Sequence, residues 1–317
     1  MTTERSKKSI ALYTLLIPIL LVITSVIVAL YWPQNNMRRS TKITINRGES
    51  LSIISNKLLK SGVITNEKLF GFATKIMGLE KSIPVGSYHL ENVKINKDII
   101  NRLVYGSPEI KRITLLEGWN KKQVCSHLSK EMDFDYNNLL DIINDKNFVQ
   151  DLGLDSDNLE GYLFPETYYF FDGEGEHSVI RRLVKEYKSF WSNRNINKVD
   201  SMNLTQHQIV TLASIIEGEA IYDSERPIIS AVYHNRLKRG MKLQADPTVQ
   251  YIIKDGPRRL LNKDLKIKSP YNTYLYQGLP PGPINSPGFE SLKAALNPEE
   301  NDYLYFVAKG DGYHTFS

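Results

Sequence analysis

Apolar residues form one long block near the N-terminus and then recur in short helical and alternating patterns along the rest of the chain. From Ser9 to Tyr31, SIALYTLLIPILLVITSVIVALY, no residue is charged over 23 positions. At about 1.5 Å per residue, a helix of this length spans roughly 35 Å, enough to cross a bilayer with some tilt. Pro18 is tolerated in such a helix. Tyr31 and Trp32 follow where an aromatic belt would meet the far interface. A cleaved signal peptide is the competing explanation. The apolar stretch exceeds a usual signal core and no A-x-A site follows it, which favours an uncleaved anchor. Arg5, Lys7 and Lys8 precede the block and Arg38, Arg39, Lys42 and Arg47 follow it, so charge alone does not set the orientation.

Beyond the block, PQNNMRRS (33–40) reads as a polar linker. The stretch TKITINRGESLSIISNKLLKSG predicts a strand, a turn at Gly48 and a helix capped by Ser50. Ile53, Ile54, Lys57 and Leu58 supply the helical spacing. VITNEKLFGFATKIMG predicts a second helix capped at Thr65, and GSYHL and KINKDIINRLVYG predict a further strand and helix. The pattern returns further on. ITLLEGWNKKQVCSHLSK (113–130) repeats ITINRGESLSIISNKLLK (43–60), matching Ile43 to Ile113, Gly48 to Gly118, Ile54 to Val124 and Leu58 to Leu128. The strand-GES-helix stretch resembles a LysM module. That resemblance implies a βααβ unit of a kind that binds glycans containing N-acetylglucosamine; an ordinary packing domain explains the pattern equally well.

Composition narrows the class. The 317 residues are 41% hydrophobic and 24% charged, as in an ordinary folded chain. A net charge of +5 is too mild to argue for nucleic acid. The cations between Lys254 and Lys268, with Arg258, Arg259, Lys263 and Lys266, have the charge to face an anionic polymer, although a solvated surface is the plainer explanation. Cys125 is the single cysteine, so no internal disulfide forms, and its setting in KQVCSHL suits a small buried apolar residue. The six histidines are scattered, with no H-E-x-x-H, G-x-S-x-G or phosphate-binding glycine loop. No cofactor, metal or nucleic acid is expected.

Chemistry concentrates in the second half. LTQHQIVTLASIIEGEA predicts a helix with a capping box, Thr205 and Gln208, running to about Glu219. Its faces are mostly apolar, yet Glu217 and Glu219 interrupt them. Residues two apart point roughly 200° away from each other, so the two acids do not form one pair. An acid set among apolar side chains has a raised pKa and can donate a proton. A structural Glu paired to Arg226 or Arg236 is the competing explanation. ERPIISAVYHNRLKRG predicts the next helix, and MKLQADPTVQY (241–251) reads as an extended stretch broken by Pro247, with Gln244, Asp246 and Thr248 near the acidic helix. Two aromatic segments suit sugar binding by ring stacking and polar contacts. They are NLEGYLFPETYYFF (158–171), with Glu160 and Tyr162, and the Pro/Gly/Tyr loop SPYNTYLYQGLPPGPINSPG (269–288), with Tyr271, Asn272, Thr273 and Tyr274.

LASIIEGEA, LQADPTVQY, SPYNTYLYQGLPPGPINSPG with SLKAALNP, and YLYFVAKGDGYHTFS together resemble the endolytic murein transglycosylases, the YceG-like family. The resemblance runs from the anchor onward and is strongest from Glu160 to Ser317. It implies an α+β fold: a cytoplasmic tail (1–8), a transmembrane anchor (9–31), a linker (32–41), a LysM-like subdomain (42–108) and a catalytic domain (109–317). It places the chain in the inner membrane of a bacterium as a single-pass protein. The N-terminus would be cytoplasmic, the catalytic domain extracytoplasmic, and peptidoglycan strands and synthases the partners. The activity implied is cleavage of the MurNAc–GlcNAc β-1,4 bond to give 1,6-anhydroMurNAc ends. Glu217 stands as the single acid and base, Glu219 is left to a structural pairing, and the residues named above stand as candidates for holding the glycan. The chain stops at Ser317 where many relatives continue, and no loss of activity is expected from that. A two-carboxylate muramidase using Glu160, Glu166 or Asp246, and a non-catalytic glycan-binding division scaffold, remain the alternatives.

Overall fold

The computed structural model describes residues 2–34, 40–254, 256 and 258–317, and no side chain is described for residues 2–13 and 15. The chain divides into two compact units. One holds residues 1–111 and 169–175, the other 112–168 and 176–317.

The first unit opens with α1 (Thr2–Tyr31), then β1 (Thr41–Ile45), α2 (Leu51–Lys60), α3 (Glu67–Ile76), β2 (Gly86–Leu90) and α4 (Asn96–Tyr105). Strands β1 and β2 pair antiparallel with Ile43 opposite Tyr88, so the order is βααβ. Alternation sends Ile43 and Ile45 inward, where they meet Leu58, Phe70, Leu90, Ile99 and Leu103. Ser50 caps α2 as expected. The cap of α3 is Asn66 and not the predicted Thr65: the Asn66 side chain accepts from the Lys68 and Leu69 N–H groups, while Thr65 is taken up by Gln34.

The end of α1 belongs to this core. Ala29 is fully buried, and its carbonyl accepts from Asn96 Nδ2 at 2.8 Å. Among the described residues, no helix is long and apolar enough to cross a membrane; the predicted span 9–31 begins in a region whose side chains lie outside the described ones. The predicted linker (32–41) also falls partly outside them, at 35–39. Its described beginning is not loose. Trp32 Nε1 donates to Thr65, Pro33 bridges to Ile95 and Gln34 Nε2 donates to Asn96 at 2.6 Å.

The remaining elements are β3 (Ile110–Thr114), α5 (Lys121–Met132), α6 (Tyr136–Asn144), α7 (Lys146–Asp151), β4 (Thr167–Phe171), α8 (Glu176–Ser189), α9 (Asn193–Ser201), α10 (Gln206–Glu219), α11 (Arg226–Lys238), α12 (Asp246–Ile252), α13 (Phe289–Leu296), β5 (Phe306–Ala308) and β6 (His314–Phe316). The fold is mixed α+β, and among the described residues there are three sheets of two strands each, β1–β2, β3–β4 and β5–β6. The repeat legible in the sequence is present as β1-α2-α3 and β3-α5-α6. Cys125 is fully buried in α5. The centre of the second unit is α10, which packs against α11, α12 and α13. Residues Ile209 to Ile216 are all buried, and the capping box closes at both bonds, with Thr205 accepting from Gln208 N–H at 3.1 Å and Gln208 from Thr205 N–H at 2.8 Å.

The stretch 241–251 departs from expectation. From Asp246 it is helical, with Pro247 in the first turn. A proline there gives up an N–H that has no helical partner anyway, and its fixed φ suits the helix.

Candidate active site

Helix α10 ends in the sequence Glu217-Gly218-Glu219, and α12 and the loop before α13 pack against it. Gly218 permits the approach. A Cβ there would lie 2.6 Å from the Pro247 ring, so only a glycine lets α12 meet α10 this closely. The loop 281–288 is tied down from both sides. Ser214 Oγ accepts from Ile284 N–H at 3.1 Å, Asn285 Nδ2 donates to the Ser214 carbonyl at 2.9 Å, Gly118 N–H donates to the Ser286 carbonyl at 3.0 Å and Ser286 N–H to the Trp119 carbonyl at 2.8 Å.

The result is a groove of about 610 Å³. Gly118, Asn120, Gln123 and Ser126 form one wall at the start of α5. Gly218 and Glu219 line it from the end of α10, with Asp246, Gln250 and Tyr251 of α12 and Asn285 of the loop before α13. The polar groups suit hydroxyls and amides, and the Tyr251 ring adds an apolar face.

The two acids sit in different surroundings, as the helical geometry requires. Glu217 is 6% exposed and ion-paired: Arg226 Nη1 lies 3.1 Å from Oε1, and Gly288 N–H donates to Oε2 at 2.9 Å. Arg226 also bonds Asp223 and Ser291, so it ties α10 to α11 and α13. Arg236, the other cation considered as a partner, donates instead to the carbonyls of Leu304 and Leu243. Glu217 does not line the groove.

Glu219 does. It has no ion-pair partner among the described residues. Tyr233 Oη donates to it at 2.9 Å and Asp246 N–H donates as well. Burial pushes its carboxyl up to about 7; the Asp246 charge adds to the rise, and the Tyr233 hydroxyl, the Arg236 charge and the Asp246 N–H oppose it. Asp246 is itself held by Tyr274 Oη at 2.5 Å. The arginine pairing weighed for these acids falls to Glu217, the residue expected to shuttle the proton, while Glu219, expected to be structurally paired, meets a tyrosine hydroxyl and a backbone N–H. Both Arg226 and Tyr233 arrive from α11, and the pattern of α10 alone carries no sign of which acid each reaches.

The other predicted residues separate into groups. Asp246 lines the groove with Glu219, and Tyr274 bonds Asp246. Thr248, Asn272 and Thr273 are buried and spend their bonds on the protein. Thr273 Oγ1 accepts from Ala245 N–H and bonds Thr248, while Asn272 Nδ2 donates to the carbonyls of Leu265 and Ile267. They shape the loop instead of facing the groove. Gln244 is exposed, with φ of +49°, and its N–H donates to the Thr273 carbonyl.

Glu160 and Tyr271 line a second cavity of about 350 Å³. Glu160 accepts from Lys121 N–H at 2.8 Å and from Tyr251 Oη at 3.1 Å, and burial pushes it up to about 7. Tyr162 is buried. His207 Nε2 faces the Pro281 carbonyl at 2.8 Å and so carries the proton, which makes Nδ1 the acceptor of the Tyr162 hydroxyl at 2.6 Å. Tyr233, Asn120, Gln123, Tyr251 and Asn285 were not among the predicted residues. Asn120 and Gln123 had a legible signal, the N-x-x-Q of a capping box, which α5 forms.

A family model described as the YceG-like family matches residues 43–317. The chain is 34% identical over 300 residues to a protein of Bacillus subtilis (strain 168) named endolytic murein transglycosylase, covering 90% of this chain and 83% of that one. It is 27% identical over 310 residues to the protein of the same name from Streptococcus pneumoniae serotype 2 (strain D39 / NCTC 7466), covering 86% of this chain and 55% of that one. A crystal structure of a yceG-like protein from Listeria monocytogenes superposes with a TM-score of 0.60 at 31% identity, covering 88% of this chain and 95% of that chain.

Proposed function

The chain belongs to the YceG-like family, and from that membership and the groove around Glu219 we propose that it is a peptidoglycan lytic transglycosylase. It cuts the MurNAc–GlcNAc β-1,4 bond within glycan strands and leaves 1,6-anhydroMurNAc ends. The observation that carries the assignment of the acid is the place of Glu219: the residue lines the groove, and its buried carboxyl, raised to about 7, is held by Tyr233 and has no ion pair among the described residues.

Protonated Glu219 gives its proton to the glycosidic oxygen as the bond to MurNAc C1 breaks. Positive charge develops at C1 and its ring oxygen, and the Asp246 carboxylate beside the acid supplies opposite charge. Glu219, now ionised, takes the proton of the C6 hydroxyl of the same sugar, and that oxygen closes on C1. One carboxyl serves as acid and then base, and no water enters. The attack is intramolecular, so it gains from the tethered geometry. Hydrolases of this bond use two carboxylates.

A two-carboxylate muramidase is the second reading, and the presence of Asp246 beside Glu219 favours it; its product has a reducing MurNAc end. Glu217, the acid that the family resemblance first implied, is tested directly. Glu219→Gln is expected to lower cleavage about 10²–10⁴-fold with the fold and glycan binding kept, and Glu217→Gln to keep measurable cleavage. The reverse result moves the role to Glu217. Full activity in both variants points to a glycan-binding scaffold or to another site.

The finer architecture is part of the same proposal. Residues 9–31 form an uncleaved single-pass anchor. Leu16, Ile17, Ile19, Leu20, Leu21, Val22 and Ile23 are exposed on α1, and Thr24 and Ser25 turn their hydroxyls onto the helix's own carbonyls at 2.7 Å, which supports a helix side solvated by lipid. The N-terminus is then cytoplasmic and the catalytic unit extracytoplasmic, where the strands and their synthases are. The βααβ order of β1, α2, α3 and β2 supports a LysM-like subdomain over 42–108.

A further inference from the structure

The basic segment after α12 has no role in the chemistry above, and its construction is unusual for a merely solvated loop. Gln250 of α12 lines the groove and also clasps the segment, accepting from Arg258 N–H at 3.0 Å and donating to the Arg258 carbonyl. Arg258 then forms a two-pronged pair with Asp264, at 2.7 and 2.9 Å, and Asp264 accepts from Leu261 N–H at 2.8 Å. One arginine and one acid are thereby used to brace the loop. Lys254, Arg259, Lys263, Lys266 and Lys268 are left exposed, and none is ion-paired among the described residues. Gly256, within the same segment, lines the groove. Five exposed cations with no ion pair among the described residues therefore stand on the segment that contributes Gly256 to the groove.

We propose that this loop is a cationic rim that binds the carboxylates of the peptide stems carried by the glycan. The inference rests on the lytic reading of the groove. The sugar rings of the substrate offer hydroxyls and amides, which the groove walls match. The carboxylates of the polymer lie on the stems attached at MurNAc lactyl groups, which project away from the cleaved bond. Exposed cations attract such groups over about 8 Å at physiological ionic strength, and less at higher salt. The rim so selects strands that still carry stems, and acts on binding, not on the chemical step.

The test uses the full chain with all five cations changed to Gln. Two substrates are compared at low salt: glycan strands with their stems, and the same strands after an amidase has removed the stems and the lactyl carboxylates freed by that hydrolysis have been capped as methylamides. The wild type is expected to show a KM about 5- to 10-fold lower on the stem-bearing strands, the effect of a few exposed charge pairs. The variant loses that difference, while its KM on stripped strands, its kcat and its thermal midpoint stay unchanged. Equal wild-type KM on both substrates, a difference that survives in the variant, or an equal rise on both substrates overturns the rim. Loss of binding to anionic vesicles with the KM difference intact assigns the cations to a membrane surface and also overturns it. The products separate this test from the underlying reading, since a wild type that forms no anhydro ends defeats the lytic assignment itself.

Discussion

At the scale of single residues, the chemistry depends on how two acids separated by one glycine are treated by their neighbours. Glu217 keeps a guanidinium 3.1 Å away, whereas Glu219 keeps a phenol and a backbone N–H. A general acid must hold its proton when the substrate binds. Cleavage is therefore expected to fall as pH rises through about 7, measured as kcat/KM across the range, and a profile that stays level well into the alkaline range contradicts the assignment. Glu160 makes a stability prediction of the same kind. Its carboxyl is raised from 4.5 to about 7, so the native state holds a proton that the unfolded chain has released. The contribution of that site is complete below about 4.5 and is lost as pH rises through about 7. Glu160→Gln should flatten the fall of the thermal midpoint over that window; an unchanged slope would place the dependence elsewhere. The sequence made part of this legible. Helical periodicity separated the acids correctly, but the partners that decide between them come from α11, which periodicity in α10 does not report.

At the scale of elements, close approach of helices makes the groove. Alanine is ordinarily the better helix residue by up to about 1 kcal/mol, yet Gly218→Ala is expected to destabilise by about 1–3 kcal/mol, because the new Cβ would meet Pro247 at 2.6 Å. A denaturant midpoint that rises would contradict the close packing of α10 on α12. Arg226→Met strands the buried Glu217 charge and is expected to cost about 3–5 kcal/mol. Adding Glu217→Gln should recover part of that loss, and strictly additive effects would mean that the pair is not coupled. Element starts were readable where a side chain completes a cap, as at Ser50 and Thr205. The helix at Asp246 was missed because Pro247 reads as a breaker in an extended segment and as a good first-turn residue in a helix; the sequence is the same for both.

At the scale of the whole molecule, the repeated strand-helix-helix pattern and the helical periods carried the fold class, while the use of 169–175 in the first unit had no local signature. Burial of Ala29 joins the proposed anchor to that unit's core. A chain starting at Val26 should leave the membrane fraction and keep its thermal midpoint, and one starting at Ser40 should also lose stability; equal midpoints would show that Ala29 contributes nothing. The central claim is that a single carboxyl, that of Glu219, serves as acid and then base so that the ring closes without water. Mass spectrometry of the products from purified peptidoglycan tests it most directly. The account predicts 1,6-anhydroMurNAc ends from the wild type and none from Glu219→Gln; reducing MurNAc ends from the wild type would contradict it.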